Sequence, residues 1–163
     1  SDLTHQEAAR YGSVLSQKDQ QELDSYLAKA MEMKTDVESK AVALKTKYSS
    51  DPSVSFTAQT KYQAATRAME KLKTSVQSDF VSNDGRTSQA TERASKEFET
   101  AGNDFGNYYA SVNNEGRFGT VLLVVLDTIN ELWSLWTSYG EAQRQAYLAA
   151  VEKRLAPIPW AQL

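Results

Sequence analysis

The chain has 163 residues, with 18 Lys and Arg against 21 Asp and Glu for a formal charge of −3, 40% hydrophobic residues, 7 Gly, 3 Pro and no Cys. That length suits one domain able to bury about two-thirds of its unfolded surface. The missing thiols exclude a disulfide scaffold, a thiolate zinc site and a cysteine nucleophile, and the near-balanced charge excludes a strongly basic nucleic-acid footprint.

At the N-terminus, Ser1 to Glu7 shows no basic region followed by an apolar run, so no signal peptide is expected. Thr4-x-x-Glu7 has the form of a capping box and predicts a short opening helix from Thr4 to about Leu15. Ser16-x-x-Asp19 resembles a second helix start, Ser16 as cap and Asp19 at the positive end of the dipole. From there Leu23, Leu27, Ala30, Val37, Ala41, Leu44 and Tyr48 recur in a four-three rhythm, with Lys34 in the one missing slot. Ser49-Ser50-Asp51-Pro52-Ser53 breaks the pattern, since Pro52 lacks an amide hydrogen and biases Asp51 away from helical angles.

The rhythm resumes in Ala58, Tyr62, Ala65, Met69, Leu72 and Val76. Ser82-Asn83-Asp84-Gly85 is a turn cluster, after which Thr87 or Ser88 can cap the next helix. A third stripe follows in Ala94, Phe98, Ala101, Phe105, Tyr108 and Val112. Gly102 and Gly106 flank Phe105 at small-residue spacing, which predicts close packing against a neighbouring aromatic. Asn113 to Gly116 and Gly119 break the chain again, and Thr120 can cap a last helix that ends near Ala156, before Pro157 and Pro159.

Stripes near 3.5 residues per turn are the seam of bundles and coiled coils. The spacing therefore predicts helices over about 17–48, 54–81, 87–112 and 120–155, at about 1.5 Å per residue long enough to lie alongside one another. Connections of about five to seven residues favour antiparallel neighbours. The expected fold is all-α: an elongated antiparallel four-helix bundle, up-down-up-down, with coiled-coil-like heptad packing and a short extra N-terminal helix. Residues 1–156 form its single domain and 157–163 an irregular Pro/Trp tail.

The last helix differs from the others. Between Phe118 and Trp136, apolar residues cover most of its circumference, among them Leu122, Val125, Leu132, Trp133 and Trp136. A helix apolar all round must be enclosed by its own bundle or by another molecule. Its uninterrupted block, Val121 to Leu126, is too short to span a membrane, which takes roughly 20 apolar residues. Asp127 and Glu131 share one face there; they read as a solvated face rather than an acid/base pair, which would need a convergent partner. Trp133 and Trp136 serve either as core or as anchors. Trp160, in a tail that Pro157 and Pro159 keep from helix, either folds back on the bundle or is presented with Ile158 to a partner.

His5, the single histidine, rules against a His-based triad and against the Glu-x-x-His pairs of di-iron bundles, and no phosphate loop or Ser-centred elbow occurs. No cofactor, metal, nucleic acid or small-molecule substrate is expected, and the chain reads as no enzyme. The expected function is a non-enzymatic module acting through protein–protein contacts or self-association: an assembly subunit, adaptor or chaperone-like protein. Its expected contact residues are Leu122, Val125, Leu132, Trp133, Trp136 and Trp160. The alternative is a membrane-active protein, pore-forming or translocator-type, that turns 118–136 to lipid about a Gly116–Gly119 hinge. The Asp-Pro turn, Ser/Thr/Gln-rich surface and lack of cysteine are similar in composition to helical subunits exported by bacterial secretion systems, and incline the reading toward a secreted or assembly role.

Overall fold

Where helices begin and stop follows from local backbone chemistry. In the computed structural model, which describes the backbone of residues 5–83, 85–113 and 141–163 and the side chains of 21–83, 85–113 and 145–163, helix α1 runs His5–Lys47 without interruption. The separate opening helix expected before Ser16 is therefore not there. Ser16-Gln17-Lys18-Asp19 neither removes an amide hydrogen nor demands a positive φ. Once a helix is nucleated, each added residue gains a hydrogen bond, and α1 extends through this stretch.

The Asp-Pro break holds, but two residues earlier than the stripe alone suggests. Helix α2 is Pro52–Ser82, with Pro52 at its start and the Asp51 carboxylate accepting from the Val54 amide at 3.2 Å. Proline costs nothing in the first turn, where its missing amide hydrogen would have no partner. Helix α3 is Gln89–Asn113, and of the two candidate caps Ser88 does the work: its hydroxyl accepts from the Thr91 amide at 3.2 Å. Helix α4 is Glu141–Leu155, and the expected first part of that helix, 120–140, lies outside the described residues. The tail is not wholly irregular: Trp160–Gln162 form a 3-10 turn, entered through Pro159 in an extended conformation. All four helices and this turn are helical, and the described residues include no strand.

The stripes are what the fold buries. Leu23, Leu27, Ala30, Val37, Ala41 and Leu44 of α1 meet Ala58, Tyr62, Ala65, Met69, Leu72 and Val76 of α2 in one core, with Ala94, Phe98 and Phe105 of α3 and Tyr147, Val151 and Leu155 of α4. Alanines recur through this core, at 41, 58, 65 and 94, and let backbones approach closely. Gly102 shows the same effect at its limit. A Cβ there would fall 2.3 Å from the Met33 sulfur. The close neighbour of Gly102 is thus the flexible thioether end of Met33 on α1, not the expected aromatic, because α1 presents Met33 beside α3 while Phe105 turns inward. At Gly106 a Cβ would meet only the Lys40 ammonium, at 3.5 Å.

Polar side chains close the α2–α3 connection. Asp79 and Thr91 take the next slots of their stripes, after Val76 and before Ala94, and both are buried. One Asp79 carboxyl oxygen accepts from the Thr91 hydroxyl at 2.6 Å and from the Ser88 amide at 2.9 Å. The Asp79 carbonyl accepts from the amides of Asn83 and Gly85, and Gly85 makes that turn at φ 76°, a left-handed angle that favours glycine. Ser75 shares a 2.6 Å hydrogen bond with Thr91. Beside this set the buried Thr87 hydroxyl has no hydrogen-bond partner.

Two substitutions at this corner should act in opposite directions. Asp79→Ala strands two buried donors and is expected to lower unfolding free energy by about 2–4 kcal/mol in urea titrations. Thr87→Val removes an unsatisfied hydroxyl at constant shape and should leave stability unchanged or raise it by up to ~1 kcal/mol.

Candidate functional site

Pro157 and Pro159 leave the tail two amides short, and its contacts with the helices run through its carbonyls and the Trp160 ring. The bundle provides the donors. Lys45, in the last turn of α1, donates to the backbone oxygens of Trp160 at 2.7 Å and Leu163 at 3.1 Å. Its ammonium also lies 5.8 Å from the Trp160 ring centroid, within cation–π range. The buried Tyr62 of α2 donates its hydroxyl to the Ile158 carbonyl. Burial, and after it the charge of Glu38, hold that phenol above the ordinary tyrosine range, so it remains a donor at neutral pH.

The Trp160 ring packs on Tyr62 with centroids 5.7 Å apart, and Tyr62 in turn meets Phe105 edge-on at 6.2 Å. Of the two alternatives for the tail, folding back is the one realised. Trp160 is only 9% exposed, while Ile158 keeps 37% of its surface in solvent. The ring expected to anchor a partner is engaged within the chain. The other expected contact residues, Leu122, Val125, Leu132, Trp133 and Trp136, lie outside the described residues, as do Asp127 and Glu131. His5 is the first residue of α1, and its side chain is outside the described set.

Polar side chains of α1 and α2 fasten α4. Tyr147 donates to the Asp24 carboxylate of α1 at 3.2 Å while its ring stacks on Phe80 at 4.1 Å. The buried Lys73 of α2 bridges Glu70 at 2.9 Å and Glu152 of α4 at 2.8 Å. Gln77 adds a 2.9 Å bond to the second Glu152 oxygen. Hydrogen bonds from Lys73 and Gln77 hold the Glu152 carboxyl below its usual range. Asp24 goes the other way: burial pushes its carboxyl up to about 6, against the hydrogen bond from Tyr147. Lys73 and Asp24 each sit one residue past a stripe leucine, where polar residues are ordinary; the signal was too common to single them out. Asp79 and Thr91 were findable, by extending each stripe one slot.

A groove of about 370 Å³ runs between α1 and α3, lined by Met33, Asp36, Lys40, Asn103 and Asn107 over the glycine pair. Asp36 and Lys40 pair along its α1 side at 2.8 Å. It is open and polar, without the enclosing apolar walls that bury a small ligand. Among the described residues no group of three His, Asp or Glu is placed to hold a metal ion, and no helix is long and apolar enough to cross a membrane. No family model matches the chain, and no curated protein or solved structure was found to match it.

Asp24 gives the fold a pH dependence of definite sign. Its carboxyl titrates near pH 6 in the folded chain against an ordinary 3.8, so between those values the folded state binds more protons and stability falls as pH rises. The loss is complete above pH 6 and amounts to about 3 kcal/mol at most. Urea midpoints at pH 4, 5, 6 and 7 should show this decline in the wild type, and Asp24→Asn should flatten it.

Proposed function

We propose that this chain is a non-enzymatic helical bundle acting through protein–protein contacts, as an assembly subunit, adaptor or chaperone-like module. In this reading the helices pack knobs-into-holes along their stripes, with α2 running against α1 and α3. Pairs between α2 and α3 support it, since one number falls as the other rises: Lys61–Asp104, Lys71–Glu97 and Ser75–Thr91. Pairs between α1 and α3 rise together, from Met33–Gly102 to Lys47–Asn113. Between α2 and α4 one number again falls as the other rises, Lys73–Glu152 and Phe80–Tyr147, which supports α4 running against α2.

The observation that carries the functional reading is where apolar surface lies. The described helices turn their stripes into a shared core, and the large apolar side chains left exposed among them are Val42, Phe56, Val81 and Ile158. The apolar residues of 118–136 come in addition to these. Leu122, Val125, Leu132, Trp133 and Trp136 are therefore the proposed contact set, docking as a helix face against a partner or a second copy. A second reading turns the same stretch to lipid, favoured by its clustered apolar residues alone.

Light scattering on a size-exclusion column should show species above the 18.1 kDa protomer that grow with concentration. Leu122→Ser with Leu132→Ser should return them to the monomer with helical circular dichroism intact. A monomer at every concentration, with Trp133 and Trp136 fluorescence inaccessible to acrylamide, would overturn the proposal. Dye release from anionic vesicles by the monomer would favour the lipid reading.

A further inference from the structure

We propose that the seat of residues 158–163 is a peptide-recognition site, which the chain fills with its own tail and can exchange for the same segment of a second copy. The seat is made by Lys45 on α1 and Tyr62 on α2, with Phe105 of α3 set edge-on against Tyr62. Its hydrogen-bonding groups read only backbone oxygens of the tail, those of Ile158, Trp160 and Leu163. Selectivity comes instead from the Trp160 ring, laid on Tyr62 and under the Lys45 ammonium. Any chain presenting that ring with those carbonyls would satisfy the same partners.

The tail is built to leave and return as a unit. Its backbone hydrogen bonds are internal, Gln162 to the Pro159 carbonyl and Leu163 to that of Trp160. Pro157 and Pro159 fix φ on either side of Ile158, so little order is lost or gained when it docks. Ile158, Pro159, Ala161 and Gln162 stay exposed in the docked state, leaving Trp160 as the one deeply buried side chain of the 3-10 turn. When the tail lifts, the Lys45 ammonium and the Tyr62 hydroxyl lose these acceptors together, and the Tyr62 face is uncovered. That combination of aromatic floor and paired donors favours recapture of a proline-bordered tryptophan. The inference concerns a site separate from 118–136 and stands whether or not that stretch has a partner.

The test uses the full chain and an acetylated, amidated peptide of residues 156–163 carrying a fluorophore. Trp160→Ala vacates the seat in cis and is expected to bind the peptide at least about tenfold more tightly than the wild type, whose own tail competes in proportion to the time it is docked. The peptide with Ala in place of its tryptophan should not bind, and Lys45→Ala added to Trp160→Ala should weaken capture about tenfold. Equal binding by wild type and a folded Trp160→Ala chain, or none by either, would overturn the proposal. Hydrogen exchange decides independently of that variant. The Gln162 and Leu163 amides of the wild type should open far more often than amides of α2, and Lys45→Ala should speed them about tenfold while leaving α2 unchanged. Tail amides that open only with the whole bundle would refute the exchange.

Discussion

The inward face of α2 is the constraint on which the rest of the described molecule depends. Ala58, Tyr62, Ala65, Met69, Leu72 and Val76 form one unbroken buried line, and α1, α3, α4 and the 3-10 turn all contact this helix. Apolar burial along such a line is favourable at roughly 25 cal/mol per Å², but it is non-directional and would tolerate sliding of one helix past another. Direction comes from the polar groups at its margins. Tyr62 donates to the tail, Lys73 reaches α4, and Asp79 fastens the start of α3. A slip of α3 by one residue would take Thr91 away from Asp79 and bring the Met33 sulfur against a side chain in place of Gly102.

These fastenings differ in kind. Lys73 is buried but bridges two carboxylates that remain largely in solvent, so its charge is compensated without burying three ions. Asp24 is only 3% exposed, and burial outweighs its hydrogen bond from Tyr147, which raises its pKa, so the charge it carries at neutral pH costs the fold stability. Asp79 stands between them, its acceptors directed at the Ser88 amide and the Thr91 hydroxyl of a turn that would otherwise bury those donors unpaired. The helix ends follow the same rule. Asp51 and Ser88 each accept from an amide three residues on, and Lys45 takes up carbonyls of a tail whose prolines cannot join a backbone ladder.

The proposed functions draw on two separate parts of the chain. Protein–protein contact through 118–136 rests on an apolar stretch that is out of proportion to the narrow, alanine-rich stripes of the other helices. Tail exchange rests on a seat whose every partner is described. Both place recognition on faces and on segments that dock on them, and the groove described between α1 and α3 is open and polar.

The spacing of apolar residues was legible as helix, and with it the inward side of α1, α2 and α3. Periodicity is local, most apolar positions of a stripe report their own burial, and Pro52, Gly85 and Ser88 act through their own dihedrals and hydrogen-bonding atoms. It misjudged Ser16-x-x-Asp19, because a cap signal works only where a helix would otherwise end. It also named an aromatic where Met33 is the neighbour of Gly102. What only the tertiary structure decided is everything that pairs residues distant in sequence: Asp24 with Tyr147, Lys73 with Glu152, Lys45 and Tyr62 with the tail. Polar residues beside a stripe look alike in sequence whether they face water or a neighbouring helix, and their roles are set by which surface the packed core brings against them.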